Sequence, residues 1–271
     1  MTSMFSKESL DLSPMLGTYI GGEVLKKGIF CYEPPTMAMI LSLIEHHNKN
    51  VHFVDIGANV FLYPTIVETI FGEKPKITAF EPLPSLVSVG KQLKILNSLH
   101  FDIVNKAVGC ENKEAVFYVS AKSDSSNSLK KGFRKPKNVI KVEVQTIDTF
   151  FNDSYDLPVV MKIDTETTEP DVISGAQKTI LTQRPWIICE VLKGYTEQKI
   201  SELFSGLEYS FYLLSEDTNS TWTKKDCLEG DSVYHYRDWL FAPCDIDDNL
   251  KKLYEKWLHK IDNLNDSYKV Y

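Results

Sequence analysis

The sequence predicts an α/β fold, a doubly wound and mostly parallel sheet with helices on both faces. Three observations carry that prediction. Val51-His52-Phe53-Val54-Asp55-Ile56-Gly57-Ala58-Asn59 is a short apolar run that ends in an acid and a glycine just where a helix should begin. A strand running into a glycine turn and a helix N-terminus is how such a sheet builds a nucleotide site, because backbone N–H groups and the helix dipole meet the ligand's polar end there. Further on, Lys76-Ile77-Thr78-Ala79-Phe80-Glu81-Pro82 reads as a second strand ending in an acid, placed to accept hydrogen bonds from both hydroxyls of a ribose. Finally, strand-like and helix-like stretches alternate along most of the chain, which is the pattern of parallel strands joined by crossover helices.

The elements follow in order. Residues 1–30 have little periodicity and several glycines and read as an irregular lead-in. Pro34-Pro35 opens a helix to His47 with Met37, Ile40, Leu41 and Ile44 on one face. Strand one is 51–56 and its helix 61–71. Strand two is 76–81, followed by a helix from Pro84 to Asn97 with Leu86, Val89, Leu93 and Leu96 as its buried stripe. Strand three is 101–108. A β insertion then interrupts the rhythm: Ala115–Ser120 and Val139–Thr146 flank the loop 121–138, too polar for a core and too long for a plain connection, and read as part of a substrate rim. Strand four (Val159–Asp164), a helix from Pro170 to Leu181, strand five (Trp186–Leu192) and a helix from Glu197 to Leu207 resume the alternation. Two late strands, Tyr209–Leu214 and Trp239–Phe241, precede an amphipathic helix from Asp248 to about Asn263. Repeats and linkers are missing, so the expectation is one domain over 1–271, with lead-in and first helix in 1–50, core in 51–243 and C-terminal helix in 244–271.

Composition narrows the function classes. Hydrophobic and charged fractions of 43% and 25% are those of an ordinary globular protein. A net charge of -7 argues against a nucleic-acid partner held through phosphates, and the basic run Lys130–Lys137 reads as a solvated loop. Five cysteines without a C-x-x-C pair suggest neither zinc nor a disulfide framework. Met1–Leu16 lacks a signal-peptide pattern and no apolar run has the length of a membrane span, so the expected location is the cytoplasm. Oligomeric state is not legible.

Ligands of a parallel sheet bind outside the carboxyl ends of its strands. Those ends are Asp55, Glu81, Asn105 or Ala107, and Asp164; three acids at four ends point to one shared crevice. A nicotinamide cofactor is disfavoured, since Gly57-Ala58-Asn59-Val60-Phe61-Leu62 has one glycine where the dinucleotide fingerprint needs three. A P-loop lysine is also missing. The spacing of His and Asp suggests no metal.

Several motifs occur in order and at fitting intervals: Tyr32-Glu33-Pro34, Asp55-Ile56-Gly57-Ala58-Asn59, Ala79-Phe80-Glu81-Pro82, Asn105-Lys106-Ala107-Val108-Gly109, Lys162-Ile163-Asp164-Thr165-Glu166, Glu169–Ala176 and Arg184–Val191. On these the chain resembles the FkbM-type S-adenosylmethionine-dependent methyltransferases over roughly residues 30–243. The resemblance implies a class I methyltransferase (Rossmann-like) fold with an antiparallel last strand. It also implies O-methylation of a hydroxyl on a carbohydrate or similar polyhydroxylated small molecule. Carried over by position, Asp55, Gly57, Ala58 and Asn59 border the methionine part of the cofactor. Glu81, with Pro82, takes the ribose, and Asn105 to Ala107 lie near the adenine. Asp164 and Glu166 are the acidic pair where donor and acceptor meet, with Asp164 also at the cofactor. Ser125-Ser126-Asn127-Ser128-Leu129 matches a serine-rich loop before the substrate-facing insertion.

Methyl transfer from a sulfonium is an in-line displacement, so alignment is the protein's main task. A carboxylate or histidine can take the hydroxyl proton; Asp164 is the first choice and His235 the second. His46, His47, His52, His100 and His259 read as surface or strand-edge residues. Two positions depart from the family. Phe61 and Thr167 stand where glycine is usual, Phe61 in a first helical turn facing the cofactor, Thr167 adding a Cβ where the backbone favours glycine. They motivate a second reading, a catalytically silent ligand- or partner-binding module on the same fold.

Overall fold

The computed structural model describes residues 10–121, 123, 126–152, 155–230 and 237–267, with side chains up to residue 263. After a 3-10 turn at Ser13–Met15 come α1 (Tyr19–Lys27), α2 (Pro34–His46), β1 (His52–Ile56), α3 (Leu62–Phe71), β2 (Lys76–Phe80), α4 (Pro84–Asn97) and β3 (Asp102–Val104). The insertion holds β4 (Ala107–Val108), β5 (Lys113–Ser120), β6 (Pro136–Gln145) and α5 (Ile147–Phe151). Then follow β7 (Val159–Ile163), α6 (Glu169–Ser174), α7 (Gln177–Gln183), β8 (Trp186–Glu190), α8 (Glu197–Phe204), β9 (Ser210–Leu213), α9 (Thr218–Thr221), β10 (Lys224–Lys225), β11 (Asp238–Ala242) and α10 (Asp248–Ser267).

The main sheet has the order β10-β9-β11-β8-β7-β1-β2-β3. β3, β2, β1, β7 and β8 are mutually parallel, and β11 runs antiparallel to both β8 and β9. This is the class I methyltransferase arrangement, with the reversed last strand slotted between the fifth and sixth. The chain's direction of winding switches between β1 and β7, so the crevice forms where those two strands end. Both strands are buried along their whole length, which is why they read as nearly continuous apolar runs. One core lies on the face covered by α2, α3, α4 and α10, the other under α5 to α8. Among the described residues no helix is long and apolar enough to cross a membrane.

Four local departures from the sequence reading have physical causes. The lead-in contains a helix, α1: Thr18 caps it by accepting from the Gly21 N–H at 3.0 Å, and Gly28 at φ 102° ends it. Of its two glycines Gly21 is a packing device, since a Cβ there would sit 2.0 Å from the Met15 carbonyl oxygen, whereas a Cβ on Gly22 would meet open space. Strand three is two strands in two sheets, β4 pairing with β6 beside β5. Between them Asn105 Nδ2 donates to the carbonyls of Glu81 (2.9 Å) and Pro82 (3.0 Å), pulling the chain out of the ladder. The helix after β7 breaks at Gly175, where a Cβ would meet the Gly109 carbonyl oxygen at 2.0 Å. In α4 the buried stripe is Leu86, Gly90, Leu93 and Asn97, whereas Leu96 is exposed and Val89 half-buried. Gly90 receives the Phe61 ring, and Asn97 exchanges hydrogen bonds with the Asp11 backbone.

Candidate active site

The turn after β1 is clamped from two sides. The Gly57 and Ala58 N–H groups both donate to the Phe80 carbonyl, and the Asp164 N–H donates to Ile56 O at 3.1 Å. Gly57 sits at φ 85°, and a Cβ there would lie 1.9 Å from the Asp164 carbonyl oxygen, so only glycine lets the β1 and β7 loops approach this closely. Asn59 follows in the left-handed region at φ 49° and its N–H donates to Glu81 Oε2 at 3.0 Å. Glu81 Oε1 accepts from the Leu83 N–H at 2.8 Å. Both carboxylate oxygens of Glu81 are thus held in place by loop amides.

Phe61 does not begin α3 and does not face the cleft. It precedes the helix at φ 61°, and its ring is fully buried, stacked on Phe101 at 6.1 Å and filling the space over Gly90. Thr167 stands at φ 82°, buried, and among the described residues its hydroxyl has no hydrogen-bond partner. Both residues therefore keep a backbone conformation that suits glycine, at the cost of strain.

A cleft runs along these turns. Gly57, Ala58, Asn59, Glu81, Pro82 and Ala107 line one flank, and Lys162, Asp164, Thr165 and Glu166 close its end. Ile20 and Tyr32 from the lead-in and Phe117, Asn127 and Leu129 from the insertion cover it. Its volume is about 70 Å³, below the roughly 300–1,000 Å³ of small-molecule sites. The insertion is fastened to the site: Ser128 Oγ donates to the Glu166 carbonyl at 2.7 Å, and Ser128 bridges to Tyr118. A carboxylate beside amide-rich turns and apolar walls from Pro82, Val108, Phe117 and Leu129 suits an adenosyl group once those covers part.

The structure brings Gly57, Ala58, Asn59, Glu81, Pro82, Ala107, Asp164 and Glu166 to one cleft. It does not bring Asp55 or Asn105 there. Asn105 instead holds the β2 loop, as above. Asp55 is fully buried, and among the described residues neither of its carboxylate oxygens has a hydrogen-bond partner. It lies in register with Lys162 of β7. His235 and Ser125 lie outside the described residues. His52 is no edge residue: it is buried in the central strand, its Nε2 2.9 Å from Thr78 Oγ1, and burial pushes its pKa down to about 3.

Lys162, which periodicity hides in an apolar strand, organises a buried polar cluster. Its Nζ reaches Asp164 Oδ2 at 3.0 Å and lies over the Tyr63 ring at 4.9 Å. Tyr63 donates to Glu33 Oε2 at 2.6 Å, and Thr36 donates to Asp238 Oδ2 at 2.6 Å. Burial opposes the lysine's charge, but Asp164, Glu33, Asp55 and Asp238 outweigh it and raise the pKa. Burial pushes Asp55 up to about 7, and burial with the Asp238 charge pushes Glu33 up to about 8. Burial and the Asp164 charge bring Glu166 to about 8. The signal for this cluster was in the sequence: a lysine inside Val159–Ile163, a strand otherwise apolar.

The model of the methyltransferase FkbM domain matches residues 55–240. No curated protein sequence matches this chain. Among solved structures, the methyltransferase FkbM from Methylobacillus flagellatus KT is similar at 14% identity and a TM-score of 0.45, over 71% of this chain and 43% of that one. This chain thus spans less than half the length of that relative. A ribosomal protein L11 methylase from Lactobacillus delbrueckii subsp. bulgaricus is similar at 11% identity and a TM-score of 0.41, over 77% and 76% of the two chains. The N-terminal domain of human METTL16, in complex with SAH, gives 14% identity and a TM-score of 0.43, over 79% and 70%. The family match covers more than half of the sequence and includes both clamped turns and the acidic end of the cleft: the chain belongs to the FkbM family of methyltransferases, whose cofactor is S-adenosylmethionine.

Proposed function

We propose that the protein is an S-adenosylmethionine-dependent O-methyltransferase whose acceptor is a hydroxyl of a carbohydrate or similar polyhydroxylated small molecule. The observation that carries this reading is a second cavity, of about 550 Å³, which shares Tyr32 with the cofactor cleft. Glu23, Glu33, Glu216 and Asp238 are among its lining residues, with Lys27 paired to Glu23 at 2.6 Å and the aromatic residues Tyr19 and Tyr32 beside them. Carboxylates accept hydrogen bonds from hydroxyls, and an aromatic face packs on the apolar side of a sugar ring. The cofactor supplies an activated methyl group on a sulfonium.

The chain's residues then divide the work. Glu81 is the acceptor for the ribose hydroxyls, and Gly57 to Asn59 border the methionine end. Lys162 fixes one oxygen of Asp164, which orients the acceptor hydroxyl and takes its proton, while Glu166 stands beside it as second carboxyl. Binding requires the covers carrying Ile20 and Leu129 to part. The silent-module reading is not favoured, because Phe61 and Thr167 retain glycine-like backbone and Phe61 turns its ring to the core.

The test is methyl transfer to a panel of glycosides, polyols, amines and peptides, with the methylated atom located by NMR. An O-methyl product, strongly reduced in a folded Asp164→Asn protein with cofactor affinity kept, supports the proposal. Methylation of nitrogen or carbon alone would overturn it.

A further inference from the structure

Asp164 follows β7, Glu169 opens α6 and Glu190 ends β8. Each offers one carboxylate oxygen, and the three oxygens lie within 4.8 Å of one another. Oxygens bound to one ion lie at most about 4.2 Å apart around Mg²⁺ and about 5 Å apart around Ca²⁺, so a spread of up to 4.8 Å is that of a shared ion of calcium's size.

A second observation concerns the hydrogen bonds. Glu169 is fully buried, and its Oε1 accepts from the Thr165 N–H at 2.8 Å and the Thr165 hydroxyl at 3.1 Å. Among the described residues Glu169 Oε2 has no partner, and neither has Glu190 Oε2. Two cations pair with the rim of the cluster, Lys162 Nζ with Asp164 Oδ2 at 3.0 Å and Arg237 Nη1 with Glu190 Oε1 at 3.7 Å, and neither reaches the orphaned Glu169 Oε2 or Glu190 Oε2. Orphaned buried carboxylate oxygens are costly, and they are satisfied by a proton or by a cation.

We propose that Asp164, Glu169 and Glu190 form a binding site for a hard divalent cation of calcium's size, at the end of the cofactor cleft. The all-oxygen donor set suits such ions and does not suit zinc or copper. Water completes the coordination, and Asp164 joins the ion to the cleft lining. The site goes beyond methyl transfer and stands whether or not the acceptor carries a hydroxyl.

The experiment is titration of the full chain, freed of metal by chelator, with Mn²⁺ followed by electron paramagnetic resonance. Mn²⁺ serves as the paramagnetic probe, and the expected result is a single bound ion per chain, displaced by Ca²⁺. Glu169→Gln and Glu190→Gln should each weaken Mn²⁺ binding by roughly tenfold or more, at least the size of a second-shell effect. Glu143→Gln, at an exposed pair with Lys106, should leave it unchanged. Circular dichroism checks folding; should Glu169→Gln not fold, Glu190→Gln decides. No binding at about 1 mM Mn²⁺, the weak end of natural oxygen sites, would overturn the proposal, as would unchanged affinity in the folded variants.

Discussion

The two ends of the cleft are built on different principles. At the β1–β2 end, backbone amides do the holding: Glu81 is met by the Asn59 and Leu83 N–H groups, and Gly57 and Ala58 share the Phe80 carbonyl. At the β7–β8 end, side-chain charge does it, with Lys162 among Asp55, Asp164, Glu33 and Asp238, and with strained backbone at Glu166 and Thr167. The second end is a concentration of buried acid around one lysine. A ribose needs fixed acceptors, and proton removal from a hydroxyl needs groups that can change their charge; the division matches those needs.

Removing the lysine should break the second end most severely. Lys162→Met leaves several buried carboxylates without their common counter-charge, and we expect a loss of about 3–5 kcal/mol in denaturant unfolding. A loss under about 1 kcal/mol, the size of a surface ion pair, would mean that the acids carry their own protons and the lysine is ornamental.

The same end should set the pH course of stability. Asp55 (to about 7) and Glu33 (to about 8) have folded-state values raised above their ordinary 3.8 and 4.5. Between the ordinary and the raised values the folded protein holds protons that the unfolded chain has released, so stability falls as pH rises from about 4 to about 8. The melting temperature should drop across that window, and Asp55→Asn should flatten its lower part. A melting temperature that rises from pH 5 to 8 would contradict the raised values.

For the amide-built end the expected effects are smaller and separable. Phe61→Gly empties a core position, worth roughly 3–5 kcal/mol, against which relief of the left-handed φ returns about 1–2 kcal/mol; a net loss near 2–3 kcal/mol with unchanged cofactor affinity is expected. Tighter cofactor binding in that variant would show that the ring obstructs the cleft. Glu81→Ala should weaken S-adenosylmethionine binding by about 1.5–3 kcal/mol in calorimetry while the protein stays folded. The smallest change lies back at the charged end: Thr167→Gly should stabilise the protein by about 1 kcal/mol, since it sits at φ 82° with a hydroxyl unpartnered among the described residues. A destabilised Thr167→Gly would assign the side chain a packing role that outweighs its strain.

The amide-built end was largely legible in the sequence, and the charged end was not. Ile56-Gly57-Ala58-Asn59 and Phe80-Glu81-Pro82 each reach the cleft within a few consecutive residues, and the strand-turn-helix context follows from period and punctuation. Helix α4 was readable end to end, from Pro84 to Asn97. The polar cluster joins residues from α2, β1, α3, β7 and β11, an assembly that only the tertiary fold makes. Asp55 illustrates the limit. Its place at the end of an apolar run suggested the cleft, yet strand alternation sends its side chain to the face shared with Phe53, toward Lys162. The α1 helix escaped because helix propensity counts its glycines as costs, whereas packing against Met15 demands one of them.

The contact between Phe61 and Gly90 constrains the routes by which this chain can change. A Cβ at position 90 would come within 2.5 Å of the phenyl ring, so the two sites behave as one volume shared between a helix and a turn. Gly90→Ala alone should be damaging and Phe61→Gly alone should leave a void, while the pair together exchanges one filling for another. Substitution history at the two positions is therefore ordered: a side chain can be gained at 90 only after the ring at 61 has gone.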